Sequence, residues 1–399
     1  MNKIEAKDTI YKVFDYIDNG VRKTDFGDFA GHPGLYFFHT KKEFETMLDS
    51  YLNKEFYSRY DIYYMIERLV KFLLGKYDSH TKAYFKDNIY FPIAFKIQND
   101  EFYIINIIDN FKDIIGGKLI SINNIPIERI ASELEQIINY STVEYKNLML
   151  ANNIKQLYIL KSLPSIEENV DKITYEIEHN QRITTVEFDV KTKYENLKST
   201  TPENYSYEIL DDILIIHYNS CKNIDKMKSL IEKLKIIENK INYYIIDIRN
   251  NSGGFSSINH LLIDFLYDKK IVTIVNEDVF SSGRMMLVDL KKLGSYVIGT
   301  NISTSLNAFG NVPSEYELEN LGLIIKRSNN YWYYDDNLEL KYFTKENFSS
   351  YFKNRRELLV PKIIKPDKYV CNTVDDIISN KDTQLESAIN YVKNIKKID

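Results

Sequence analysis

The sequence predicts an α/β protein, and three observations in its central stretch predict it. First, the apolar runs at Tyr243–Ile248, Lys270–Val275 and Tyr296–Gly299 have strand length and are bounded by turn signals. Second, Ser256–Leu266 and the stretch from Ser281 to about Leu293 carry apolar positions at helical spacing. Third, the junctions between them hold Gly253-Gly254 after the first strand and Ser281-Ser282 at the start of the second helix. Alternation of strand and helix is the pattern of a sheet covered by helices.

The rest of the chain follows in order. Residues 1 to about 86 read as helical, with Lys41–Leu52 and Tyr60–Leu74 spaced in threes and fours before a stop at Gly75. A small mixed module spans residues 87–168. It has strands at Tyr90–Ile97 and Glu101–Ile108 across an Asn99-Asp100 turn, then Gly116-Gly117, a further strand, and a helix from Ile127 to about Tyr140. Residues 169–399 form the core region. It opens with two strands around His179, crosses a polar linker from Asn196 to Ser206, and resumes with a strand at Ile213–Cys221. Residues 329–358 are aromatic and charged and read as an insertion. A final helix runs from Asp382 to Lys396.

Composition narrows the function. A chain of 399 residues has room for two or three domains, and 44% apolar with 27% charged residues is ordinary for a soluble protein. A net charge of −5 gives no general nucleic-acid surface. Cys221 and Cys371 are the two cysteines, too few for a disulfide framework or a zinc spacing, and both read as core residues. Thirty-two tyrosines and the many Ile, Asn and Lys residues read as genome composition. No basic leader with an apolar core and no apolar run of transmembrane length is present, so the expectation is a cytoplasmic protein if Met1 is the native start. His-to-His spacing gives no H-E-x-x-H pattern, which disfavours a metalloprotease.

The serine junction has two readings. Serine is among the preferred helix caps, so Ser281 or Ser282 can be simply a cap. Alternatively, a serine at the positive end of a helix suits acyl transfer, with the Gly-Gly turn supplying a second N–H to an oxyanion.

Three segments, in order, resemble the tail-specific (C-terminal processing) serine protease family. These are D-I-R-N-N-S-G-G at Asp247–Gly254, V-F-S-S-G-R at Val279–Arg284, and G-T-N-I-S-T-S-L-N-A-F-G at Gly299–Gly310. The resemblance implies Ser281 as nucleophile, and backbone N–H groups of Gly253 or Gly254 and of Ser282 as the oxyanion hole. Many members carry a catalytic lysine in the third segment; here Leu306 stands near its place, and Arg284 replaces the usual acidic residue. A base is therefore required from elsewhere. D-S-H-T at Asp78–Thr81 resembles the histidine segment of the tricorn-core-like branch, which implies His80 as base, with Ser79 able to orient its ring. Imidazole suits that task because its ordinary pKa lies near neutrality. His260 competes without a family match, His217 has a minor place near the cleft, and His32 and His39 show no ligand pattern. A glutamate expected before the near-terminal Pro366-Asp367 is replaced by Val360.

The resemblance implies a crotonase-like β/α core behind an N-terminal helical region and a PDZ-like peptide-binding module. It implies a serine endopeptidase acting on peptides or protein tails, with no metal and no organic cofactor. The alternative is a member that keeps the fold and the peptide module but lacks catalysis. An acyl-CoA enzyme on a crotonase core is a weaker third reading, because no CoA-binding segment is recognisable.

Overall fold

The computed structural model describes residues 1–24, 27–195, 197 and 202–397. Linker residues 196 and 198–201 lie outside that set. The chain is mixed α/β and divides into two compact units. One comprises Met1–Ser141, Lys146–Lys198 and Asn307–Pro361; the other comprises Thr142–Tyr145, Ser199–Leu306 and Lys362–Asp399.

The first unit begins with helices Lys3–Asn19, Lys41–Tyr51 and Arg59–Leu74. Each starts at a reciprocal capping box: Asn2 with Glu5, Thr40 with Glu43, and Ser58 with Asp61. The third helix buries Ile62, Ile66, Leu69, Val70 and Leu73, the spacing the sequence displays. It ends at Gly75, whose φ of +45° suits a residue without Cβ. One 3-10 turn later comes Asp78, followed by the strand Lys82–Phe85.

That strand pairs antiparallel with Leu323–Lys326, which pairs with Glu315–Leu318. A second sheet runs in the order Ile93–Gln98, Glu101–Ile107, Lys118–Ile122, Lys172–His179, Arg182–Asp189. Asn99 and Asp100 make its first hairpin turn with φ of +53° and +62°. The boundary expected at 168/169 therefore falls inside a sheet: Lys172–His179 is hydrogen-bonded to Lys118–Ile122, a pairing across fifty residues that local pattern cannot show. The helix expected to reach Tyr140 stops at Glu135. Residues 329–358 are ordered structure of this unit. Asn330–Tyr334 pairs with Ala308–Gly310 and with Leu340–Phe343, over a core of Phe309, Tyr331, Tyr333, Phe343, Phe348 and Phe352.

The second unit is a six-stranded sheet in the order Tyr205–Leu210, Ile213–Tyr218, Tyr243–Asp247, Lys270–Val275, Tyr296–Gly299, Lys368–Tyr369. The first pair is antiparallel and the rest are parallel. Alternate residues feed two cores. Leu214, Ile216, Tyr244 and Ile246 pack with Leu262, Met286 and Leu287 of the helices on one face. Ile213, Ile215, Ile245 and Ile274 pack with Ala388 and Val392 of the final helix, Thr383–Ile395, on the other. Each fully buried aliphatic side chain contributes about 1.5–3 kcal/mol. Burial on both faces explains why these strands read as unbroken apolar runs. Cys221 is buried as expected, whereas Cys371 is exposed, because the near-terminal strand covers only Lys368–Tyr369. No helix among the described residues is long and apolar enough to cross a membrane.

Candidate active site

In the second unit the carboxyl ends of the parallel strands lead into the segments singled out in the sequence, the usual place for a ligand on an open α/β sheet. Asp247 ends one strand and opens the turn to Gly254; Val275 ends the next and leads through Phe280 to Ser281.

Ser281 directly precedes the helix Ser282–Lys292 with φ +52° and ψ −119°. This is not the extended backbone of an ordinary cap, and the Ser281 side chain makes no capping bond. A non-glycine residue in such a conformation costs on the order of 1–3 kcal/mol and persists only where its surroundings impose it. Here they do. Phe280 N–H donates to Asn251 O at 3.0 Å, and Gly283 N–H donates to Phe280 O at 2.9 Å. A Cβ on Gly283 would lie 2.3 Å from Asn251 O, and a Cβ on Gly253, at φ +102°, would lie 2.7 Å from Ser281 Cβ. The two glycines let the turn and the elbow touch.

The two serines differ. Ser282 is buried and its hydroxyl donates to Gly254 O at 2.8 Å. Within its unit, among the described residues, the Ser281 hydroxyl has no hydrogen-bond partner. The two glycines differ too. Gly253 N–H donates to Asn251 Oδ1 at 2.9 Å. Gly254 forms a parallel bridge with Cys221 through its neighbours, Cys221 N–H to Gly253 O and Phe255 N–H to Cys221 O. Its own N–H and C=O therefore lie on the opposite edge, where the carbonyl meets Ser282. The N–H groups of Gly254 and Ser282 have no acceptor among the described residues; for Ser282 that is the usual orphan of a first helical turn.

Two asparagines that the sequence reading passed over hold this arrangement. Asn251, fully buried, also donates to Tyr218 O at 3.1 Å. Asn259 Nδ2 donates to Ser282 O at 3.1 Å and its Oδ1 accepts from Tyr218 OH at 2.6 Å. The signal for Asn251 was the N-N-S-G-G sequence itself; Asn259, in S-S-I-N-H, was masked by the chain's abundance of Asn. Arg284 is buried, and its Nη1 donates to Leu306 O at 2.9 Å and to Ser305 O at 3.3 Å. The cation after Ser281-Ser282 thus anchors the segment that holds Leu306.

Behind the Gly-Gly turn, Arg249 makes paired bonds to Asp247 and to Asp382, the residue capping the last helix. Burial alone would raise the Asp247 carboxyl, but hydrogen bonds from His217 and Arg249 outweigh it and hold the group well below the carboxylate range. His217 is correspondingly raised, first by Asp247 and then by Glu208. It belongs to this charged brace. His260 is exposed in the first turn of Asn259–Phe265, and its ring faces Ser257 O.

His80 and Ser79 lie in the first unit, on the turn that Asp78 organises. The buried Asp78 carboxylate accepts from His80 N–H at 2.7 Å, Thr81 N–H at 3.1 Å, Thr81 Oγ1 at 2.6 Å, Ser328 Oγ at 3.1 Å and His32 Nε2 at 3.0 Å. Burial would raise this carboxyl; the His32 hydrogen bond, nearby histidines and Thr81 hold it far below its ordinary value. Gly34 N–H donates to His32 Nδ1 at 3.0 Å, so His32 is the neutral tautomer with its proton on Nε2. Both ring nitrogens of His32 are committed, and it is a structural residue that the sequence reading left unexplained. His39 packs on Phe72. Ser79 is buried in the Asp78 turn. The His80 ring lies against Gly310, its Cε1 3.5 Å from where a Cβ on that glycine would be. Val360 is 57% exposed. Among the described residues no group of three potential metal ligands occurs.

Comparison with solved structures places this architecture. Mature CPAF in complex with lactacystin aligns over 99% of this chain and 98% of its own, with TM-score 0.64 at 11% identity. This chain has the CPAF fold. A serine-to-alanine mutant of CPAF aligns over 99% of this chain and 97% of its own, also at TM-score 0.64 and 11% identity. The photosystem II D1 C-terminal processing protease aligns over 95% of this chain and 96% of its own at TM-score 0.42 and 8% identity, too distant for its shape to carry an argument. No family model matches the sequence, and no curated protein does.

Proposed function

We propose that the protein is a serine endopeptidase of the tail-specific type, cutting peptides or protein tails. The observation that carries this reading is the backbone of Ser281, held at φ +52° and ψ −119° at the head of a helix by glycine contacts. A helix cap needs no such conformation, whereas a presented nucleophile does. Ser281 Oγ would attack the scissile carbonyl while His80 takes its proton. His80 would then return the proton to the leaving amine, and water would release the acyl group from Ser281 by the reverse of the same transfers. The N–H groups of Gly254 and Ser282 are the oxyanion donors of this reading, since Gly253 N–H is used by Asn251. One such donor is worth about 3 kcal/mol in the transition state. Ser79 would support the histidine turn. The strand order from Ile93–Gln98 to Arg182–Asp189 supports reading that sheet as the PDZ-like module, and the helix-covered parallel sheet supports a crotonase-like core.

Hydrolysis of fluorescein-labelled casein tests the reading. Wild type should release fluorescent fragments, and Ser281→Ala and His80→Ala should each lower the rate by at least about a thousandfold. Full activity in folded Ser281→Ala would exclude this serine as nucleophile.

A further inference from the structure

The three-stranded sheet of Ala308–Gly310, Asn330–Tyr334 and Leu340–Phe343 has two unlike faces. Cross-strand pairing sets Tyr331 opposite Phe309 and Phe343, and these side chains form the aromatic core. The same pairing sets Trp332 opposite Ala308 on one side and Tyr342 on the other, on the reverse face. That face also carries aromatics: Tyr334 is buried, but two others are not shut away. Trp332 is partly exposed and Tyr342 is 62% exposed, with ring centroids 6.0 Å apart. Trp332 is the only tryptophan in the chain.

Gly310 joins this face to His80. A Cβ there would lie 3.3 Å from indole Cδ1, 3.3 Å from indole Nε1 and 3.5 Å from His80 Cε1. The indole edge and the imidazole edge therefore close over the same glycine. A side chain at 310 would hold them apart; with glycine there, itself buried, the partly exposed indole packs beside the imidazole.

We infer that Trp332, backed by Tyr342, is a specificity-determining residue that receives an aromatic or apolar side chain of the peptide substrate. The inference rests on the reading of His80 as the base, since what flanks its ring then flanks the bond being cut. The indole offers a broad apolar surface at little conformational cost, and Tyr342 extends it. Packing of Gly310 alone requires neither the exposure of Trp332 nor a second exposed ring beside it.

Because Trp332 is the sole tryptophan, its emission reports the surface directly. The test uses the full chain carrying Ser281→Ala, so that nothing is consumed. Titration with acetyl-Ala-Ala-Phe-amide should give a saturable emission change. Acetyl-Ala-Ala-Asp-amide should bind at least about tenfold more weakly, the discrimination an apolar subsite supplies. No saturable response to the phenylalanine peptide, or an equal response to both, would overturn the inference. A second measurement uses the active protein on a mixed peptide library. Trp332→Ala should lower kcat/KM for peptides with aromatic residues beside the cut by about tenfold through KM, and Trp332→Phe should retain most of it. An unchanged cleavage profile in Trp332→Ala would also overturn it. Failure of the peptidase reading would show separately, as an unreactive Ser281 in a protein whose indole still responds to the peptide.

Discussion

Around Ser281 the contacts are backbone against backbone. Gly253 and Gly283 admit the turn and the elbow to within touching distance, and two buried asparagines hold the Gly253 N–H and the Ser282 carbonyl. Around His80 the contacts converge instead on one buried carboxylate, with five donors meeting at Asp78. The first arrangement depends on close approach at glycines and on neutral amide side chains, and is indifferent to pH. The second depends on a charge that is stabilised only while every donor remains. The two should therefore fail under different substitutions.

The largest effect is expected at the carboxylate. Asp78→Ala leaves buried donors unanswered and should cost about 3–5 kcal/mol in urea unfolding. Wild-type stability should also fall in acid. The Asp78 pKa is depressed on folding, so its contribution is present above the unfolded value and is lost as pH drops through the folded one. A variant with unchanged stability would mean that the five contacts do not form the hub described here.

Gly283→Ala comes next. In a free helix alanine would gain about 1 kcal/mol over glycine. Here its Cβ meets Asn251 O at 2.3 Å, and overpacking should turn that gain into a loss of about 1–3 kcal/mol. Serine reactivity should fall with it, while the Asp78 turn is untouched. A stabilised and fully reactive Gly283→Ala would break the contrast between the two regions.

Glu67 provides a smaller, pH-dependent comparison. Burial pushes it up to about 8, against the Ala83 N–H bond that favours its anion. The folded protein then holds a proton that the unfolded chain releases near the ordinary value. Stability should decline as pH rises from about 4.5 to about 8, the reverse of the Asp78 trend. Glu67→Gln should flatten that decline in urea midpoints measured across the range. The smallest effect is at His217, raised by Asp247 and Glu208. Its contribution is complete below the unfolded pKa and is lost as pH rises through the folded one. His217→Gln should cost less than about 1 kcal/mol at pH 6 and still less at pH 9.

Legibility in the sequence follows the same division. The parallel strands and their helices were readable because both sheet faces are buried and the period is local. The helices Lys41–Tyr51 and Arg59–Leu74 were readable from spacing, and their starts are marked by Thr40 and Ser58. Pairings between distant strands were not. Lys172–His179 joins a sheet begun near residue 93, and Asn330–Tyr334 pairs with Ala308–Gly310. Nothing local announces either. The elbow serine stood out through its glycines, but the choice between Ser281 and Ser282 rests on Ser282 Oγ being held by Gly254 O. His32 was invisible because a histidine that answers a buried carboxylate has no sequence pattern. Asn251 and Asn259 were hidden by a composition rich in asparagine.

The central claim is that the strained Ser281 is an activated nucleophile. Reaction of the folded protein with a fluorophosphonate, followed by mass mapping of the modified peptide, tests it most directly. The account predicts a single adduct on Ser281, lost in His80→Ala and absent from Ser282. An adduct on another serine, or none on the wild-type protein, would contradict it.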